Sequence, residues 1–386
     1  MLILAMIFNE AGLLENPYPF YKEWRDTRPI WWGEDINAWV LTRHEDVRYV
    51  LKNASLFSSN SMGEMEHQPF ALPLLTDDPP RHTQLRSIVS RAFTSRTLKK
   101  MESEIESLVE RLLDDLEGQT TVDIAAKFTI PLPVSLIARL MGIPEERRED
   151  FKRWSDALVS TGPATEIKDR MPDIKQMGAY FRSLITERKA NPADDLVSQV
   201  VNAEVDGQSM SDDDIAAFCM LLLIAGNETT SNLLSNLLDY IARNPDIWDR
   251  LRNNPDKVEA AVEEALRFDA PVQWTNRKAV ADIELHGQKI KAGDVIYVVM
   301  GSANHDPAHY DRPSQFNFDR KHRDHLSLGH GIHFCIGAPL ARMEARYALL
   351  GLMKRYKTIR HCTSAQNERT YSNMLRGYHH LWLDMA

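Results

Sequence analysis

Cysteine is scarce: Cys219, Cys335 and Cys362 are the only three in 386 residues, odd in number, far apart and without a Cys-x-x-Cys pair. That excludes a disulfide framework and favours a reducing compartment. Long apolar runs are also missing. The opening "MLILAMIFNE" holds about eight apolar residues and no basic start, whereas a spanning helix needs roughly 20 and a signal peptide a charged n-region. The expectation is a cytoplasmic protein with no membrane anchor. Basic charge is not in excess: 46 Lys and Arg against 55 Asp and Glu leave a net charge of −9, which speaks against a nucleic-acid partner. Internal repeats and low-complexity linkers are absent. What remains is 43% hydrophobic and 26% charged, the balance of a globular chain with a substantial core.

Helical patterns dominate. Residues 95–117 place Ile105, Leu108, Leu112 and Leu116 on one stripe, and the pattern continues to about residue 269, punctuated by Pro131, Pro144, Pro163, Pro172 and Pro192. Strand patterns occur in "AWVL" near the start and in "AVADIELHGQKIKAGDVIYVV", where His286-Gly287 marks a tight turn. The expected fold class is mainly α with a small β region, and no seam divides residues 1–386 into separate domains.

The most informative helix is 211–240. Ser211 with Asp214 forms a capping box, and acids crowd its positive end. Its centre is apolar, yet it contains "AGNETT". Glycine costs about 1 kcal/mol against alanine in a helix interior, and paired threonines add to that. A threonine hydroxyl can bond a carbonyl one turn back and bend the helix beside Gly226. Read alone, this is either a packing kink with Glu228 on a solvated face or a functional site that breaks a local rule.

Three other features are ordinary in isolation. Glu264 and Arg267 stand at i, i+3, the spacing of a surface salt bridge. His82 and Arg86 share a helical face that suits a carboxylate or a solvated surface. In "LGHGIHFCIG" a lone thiol sits among glycines and histidines, and the sulfur and imidazoles point to a metal or charged cofactor. His322, His325, His330, His333 and Cys335 fall within fourteen positions, which keeps a non-catalytic zinc module as a competing class.

Taken in order, His82-x-x-x-Arg86, "AGNETT", Glu264-x-x-Arg267, "HDPAHYDRPSQFNFDR" and "GHGIHFCIG" resemble the cytochrome P450 family across essentially the whole chain. The last motif is strongly specific, and the soluble bacterial members are the most similar. The resemblance implies a single triangular P450 fold over residues 1–386 enclosing haem b (iron protoporphyrin IX), with Cys335 as the axial thiolate. A thiolate pushes electron density onto iron and favours O–O cleavage. It further implies that Ala225 and Gly226 lie over the distal haem face, and that Glu228 and Thr229 form the acid–alcohol pair that directs protons. His82, Arg86, Arg277 and His333 match positions that neutralise the haem propionates. Gly329, Gly331 and Gly337 would let the backbone approach the porphyrin closely. Glu264 and Arg267 match a buried ion pair supporting the cysteine loop. The sequence departs from the pattern at Leu328, where phenylalanine is usual, at Glu228, where aspartate is commoner, and at Gln315, where many members have arginine. Arg320 becomes the candidate third partner of Glu264 and Arg267.

By the same resemblance, the chamber above the haem is walled by residues 58–75 and 155–178, by Leu222, Val272, Trp274 and Leu375, with Met62, Met65 and His67 in a gating loop. These apolar walls suit a lipophilic small molecule. The implied activity is a haem-thiolate monooxygenase inserting one atom of dioxygen by hydroxylation or epoxidation. Its electrons would come from a separate ferredoxin-type or flavodoxin-type donor, docked at Arg81, Arg91, Arg342 and Arg346. A peroxide-driven peroxygenase and a non-catalytic haem sensor are the alternatives, and the Glu228-Thr229 proton route argues against both.

Overall fold

Two periodicities build the molecule: apolar residues three and four apart give helices, and short β-branched and aromatic runs give strands. The computed structural model describes residues 8, 12–60, 72–92, 95–159, 167–205 and 207–386. Met62, Met65, His67 and Pro163 lie outside the described residues. Five helices position the site: α1 (Arg81–Ala92), α2 (Ser95–Asp114), α3 (Asp212–Arg243), α4 (Val258–Phe268) and α5 (Ala338–Arg355). The expected stripe on α2 is turned inward, with Ile105 and Leu108 buried and Leu112 partly so. Leu116 is buried just past its end.

Strands β1 (Ile30–Gly33), β2 (Ala38–Leu41), β3 (Phe57–Ser58), β4 (Thr275–Ala279) and β5 (Val295–Val298) form one sheet in the order β1-β2-β5-β4-β3. Only β2 and β5 run parallel, with Trp39 opposite Ile296. All four residues of β2 are buried, so the sheet is covered on both faces there. The hairpin at His286-Gly287 is present: both residues have positive φ, 49° and 78°, and they join Ile283–Leu285 to Gln288–Ile290. The fold is thus mainly helical with a small β region. Among the described residues no helix is long and apolar enough to cross a membrane.

Helix α3 spans 32 residues, about 48 Å at 1.5 Å per residue. Ser211 caps it, its Oγ accepting the Asp214 N–H at 3.1 Å. The first half is apolar and joins a cluster with Phe151, Trp154 and Phe181. The second half buries polar groups that sequence patterning did not separate from a solvated face. Asn227, Ser231, Asn232, Ser235, Asn236 and Asp239 are all buried, and each is hydrogen-bonded, Asn236 Nδ2 donating to Arg376 O at 2.8 Å. Burying such groups unpaired would cost about 1–3 kcal/mol apiece.

Candidate functional site

Cys335 lies in the loop between a short turn at Gly331–His333 and α5. The loop closes on itself, the Cys335 N–H donating to Leu328 O at 2.9 Å. Leu328 packs against the largest apolar cluster, which holds α4 and α5 together. Gly331 has a φ of +72°, and a Cβ there would stand 2.6 Å from the carbonyl oxygen of Leu51. The close approach this glycine permits is therefore to the protein's own backbone. Burial pushes the Cys335 thiol pKa up, while the N–H groups of Gly337 and Ala338 and the guanidinium groups of Arg86 and Arg342 pull it back in part. The net rise means that the protein alone leaves a thiol, which only a bound metal would deprotonate. Ile332 and Phe334, beside the cysteine, are among the few large apolar side chains exposed among the described residues.

Four cationic or ionisable groups gather next to this loop. His82 and His333 approach ring to ring, 4.2 Å between centroids. Arg86 donates to Phe334 O at 2.6 Å. His333 donates from Nδ1 to Leu74 O at 3.0 Å and accepts at Nε2 from Ser59 Oγ at 2.9 Å. Burial, with Arg277 and His82 nearby, pulls the His333 pKa down to about 3. Both ring nitrogens of His82 are buried without a partner among the described residues. Arg277 is buried, its Nη1 donates to Asn276 O at 2.7 Å, and burial drops its pKa to about 10 although Asp78 opposes this. A buried cation and an orphaned imidazole beside a cysteine make a donor set suited to an acidic group. Ser59 and Leu74 fall inside the 58–75 segment expected to wall the chamber, but their seating role, like that of Asp78, leaves no mark in the sequence because it consists only of contacts to other residues.

On α3, Thr229 donates from Oγ1 to Ala225 O at 2.7 Å, the back-bond expected from the sequence, yet α3 continues unbroken through it. Gly226 has a packing reason: a Cβ there would meet Ile137 Cδ1 at 2.5 Å. Glu228 is partly buried and accepts from Asn232 Nδ2 at 3.3 Å. Leu222, one turn before Gly226, and Ile336, next to Cys335, pack against the same apolar cluster. Val272 and Leu375 face each other across an isolated β-bridge. Trp274 stands elsewhere, in an aromatic cluster with Phe8 and Tyr297.

Glu264 and Arg267 are buried, at 4% and 1% exposure. Arg267 grips both carboxylate oxygens, at 2.7 and 2.9 Å, and Arg320 Nε reaches Glu264 Oε2 at 3.2 Å. Gln315 contributes its backbone carbonyl. The neighbouring Glu263 binds Arg342 of α5 at 2.6 Å and His325 at 3.3 Å. Burial alone would raise its pKa, but His325 and Arg342 hold it down at about 2 against 4.5. Because the folded value is the lower one, the pair stabilises the fold above pH 4.5 and loses that contribution as pH falls toward 2, about 3 kcal/mol in all. Urea unfolding of Glu263→Gln beside wild type should show the wild-type advantage at pH 7 shrinking by pH 3. A pH-independent gap would sink this assignment.

The histidines near the cysteine do not converge on one metal among the described residues: His325 and His333 are engaged as above, and neither belongs to a cluster of potential ligands. Of the four arginines expected to form a docking face, Arg81 pairs with Asp77 and Asp214, Arg342 with Glu263, and Arg346 with Glu259. Arg91 donates to Glu204 O. The face is therefore less positive than its sequence suggests.

The family model described as Cytochrome P450 matches residues 20–375. A putative cytochrome P450 of Bacillus subtilis, YjiB, is 38% identical over 350 residues, covering 88% of this chain and 87% of the relative. Substrate-free CYP109E1 from Bacillus megaterium superposes with a TM-score of 0.92 at 34% identity, over 96% of this chain and 98% of that one. The same enzyme in complex with corticosterone gives 0.89 at 35%, over 96% and 98%.

Proposed function

This chain belongs to the cytochrome P450 family, the haem-thiolate monooxygenases, and from that premise we propose its reaction and the residues that serve it. It inserts one atom of dioxygen into a lipophilic small molecule, by hydroxylation or epoxidation, with residues 1–386 acting as one unit around haem b. Electrons come from a separate ferredoxin- or flavodoxin-type donor. The bound haem iron supplies the activation of dioxygen.

The observation that carries this assignment is the buried, incompletely partnered set of His82 and Arg277 beside Cys335. In the proposed arrangement Cys335 Sγ would hold the haem iron, and the Gly337 and Ala338 N–H groups would temper the charge on the sulfur. His82, Arg86 and Arg277 would hold the propionates, while His333, expected from the sequence to join them, has both ring nitrogens taken by Leu74 and Ser59 and would help seat the set instead. Thr229 keeps its hydroxyl proton on the Ala225 carbonyl and turns it outward to donate. Glu228, steadied by Asn232, returns a proton to it through water. Leu222, Val272 and Leu375 line the chamber and exclude water from it. Trp274 supports that wall from the aromatic core behind it.

Thr229→Ala tests the proton route. The variant should keep its haem and its thiolate spectrum, while product formation drops on the order of 10²-fold and reducing equivalents emerge as hydrogen peroxide. Equal product yield per electron in both proteins would remove Thr229 from the route. Turnover with peroxide but with no electron donor would instead favour the peroxygenase. Since CYP109E1 was solved with corticosterone, that steroid is a suitable first probe in a spin-state screen of lipophilic compounds.

A further inference from the structure

Beside the polar half of α3 lies a cavity of about 510 Å³ that shares no residue with the cysteine site. Its volume falls in the range of small-molecule pockets, roughly 300–1,000 Å³. The last turns of α3, the end of α4 and the chain around residues 15–18, 314–316 and 367–378 wall it. One wall is aromatic. Tyr240 stacks on Phe316, 4.6 Å between centroids and 25° between planes, and Phe268 meets both edge-on, at 5.0 and 5.6 Å.

The opposite wall is charged. Arg243, Arg369 and Arg376 line the cavity together with Asp239 and Asp269. Both carboxylates already have close partners: Arg243 and His361 take Asp239, each at 3.0 Å, while Arg376 and the Tyr18 hydroxyl take Asp269, each at 2.6 Å. Arg369 is the guanidinium left over. Its side chain is only 12% exposed, and it stands 3.7 Å from Asp239. Among the described residues its one hydrogen bond is long, from Nη1 to Asn236 Oδ1 at 3.4 Å. The Asn236 amide is fixed in that orientation, because its Nδ2 donates to the Arg376 and Asp269 carbonyls at 2.8 and 3.2 Å. The ring of Tyr378 holds the Arg369 guanidinium from one side, 4.1 Å from its centroid. Burial and the like charge of Arg376 hold the Arg369 pKa below its ordinary value, although Asp269 opposes this. A mostly buried cation with so few partners is costly, and its cost is offset if an anion completes its shell.

We infer that this cavity binds a small organic monoanion of the aryl carboxylate class, its carboxylate on Arg369 and its ring against Tyr240, Phe268 and Phe316. The planar guanidinium fork matches a carboxylate, and the aromatic wall suits a flat apolar body. A phosphate dianion fits less well, since its second charge would lie near Asp239 and Asp269 and would find only the partly exposed Arg243 in addition. The site adjoins the Val272–Leu375 bridge, because Arg376 also donates its N–H to Pro271 O at 2.9 Å. Neither bridge residue lines the cavity, so an occupant here would be distinct from one in the haem chamber.

The test titrates 2-naphthoate into the holoenzyme by calorimetry, with imidazole first bound to the haem iron to occupy the other site. One naphthoate per chain is expected, with no change in the Soret band. The uncharged analogue 2-naphthol should bind about ten-fold or more weakly, the loss expected when a charge-assisted hydrogen bond is removed. Arg369→Gln should weaken naphthoate binding by a similar factor, and Arg369→Lys should fall between it and wild type. The red-shifted Soret band of the reduced CO complex, retained in both variants, would show that the fold survives. Because the naphthoate–naphthol comparison uses wild type alone, it decides the matter even if a variant fails to fold. Absence of naphthoate binding, equal affinity for naphthol, undiminished binding by Arg369→Gln, or binding seen only when imidazole is left out would each overturn the site.

Discussion

Cys335→Ser is expected to abolish the strongly red-shifted Soret band that the reduced CO complex of the wild-type protein should display. The alcohol is a far weaker acid than the thiol, so an oxygen ligand would remain neutral where sulfur is deprotonated by the metal. The environment sharpens this contrast. Burial already works against the Cys335 anion, and two backbone N–H groups with Arg86 and Arg342 only partly compensate. A serine alkoxide in that position would face the same burial with a much larger intrinsic cost. Monooxygenase turnover should fall on the order of 10³-fold or to background, because the electron push of the thiolate is lost. The spectrum of the CO complex, recorded with haem content, is the measurement. A variant retaining the red-shifted band would require a different axial ligand.

Arg267→Ala should be the most damaging change outside the proposed haem-binding residues. All five N–H donors of Arg267 are engaged: two on Glu264, and the others on the carbonyls of Asn304, Pro313 and Gln315, at 2.7 to 3.2 Å. Truncation leaves Glu264 buried with only Arg320 and the Asn317 N–H for compensation. Breaking a buried pair by removing one partner costs about 3–5 kcal/mol, a large part of the 5–15 kcal/mol typical of a whole domain. The damage reaches the cysteine loop through Asn304, whose side chain holds the Leu326 N–H at 2.8 Å and Ser327 Oγ at 2.7 Å. The expected result is a thermal midpoint lower on the order of 10 °C, with haem lost during purification. Arg267→Lys should rescue little, since an ammonium cannot span two carboxylate oxygens and three carbonyls. A midpoint equal to wild type would show that the network is dispensable.

Much of the architecture follows from local physics. The Ser211 cap, the His286-Gly287 hairpin and the inward stripe of α2 depend on short-range geometry, which composition and spacing encode directly. The cysteine loop was also legible, because a thiol among glycines and histidines is rare and its order relative to the other motifs narrows the family.

Other features were decided only in three dimensions. Glu264 and Arg267 have the spacing of any surface salt bridge; what buries them is the loop of Asn304, Pro313 and Gln315 arriving from elsewhere in the chain. Arg320 completes the pair through that same loop. Gly226 reads as a flaw in a helix until Ile137 is seen against it. Nothing local marks Asn227 and Asn236 of α3 as buried; their partners, Ser155 and the Arg376 carbonyl, come from other segments. His44, His309 and Asp324 have no sequence motif at all, because only the packing of three separate segments brings the two rings and the carboxylate into contact. The sequence by itself determined the family, the position of the thiol and the elements that carry the site. The tertiary structure decided which charges are buried, and the reason is that burial is a property of neighbours distant in the chain, which no local pattern records.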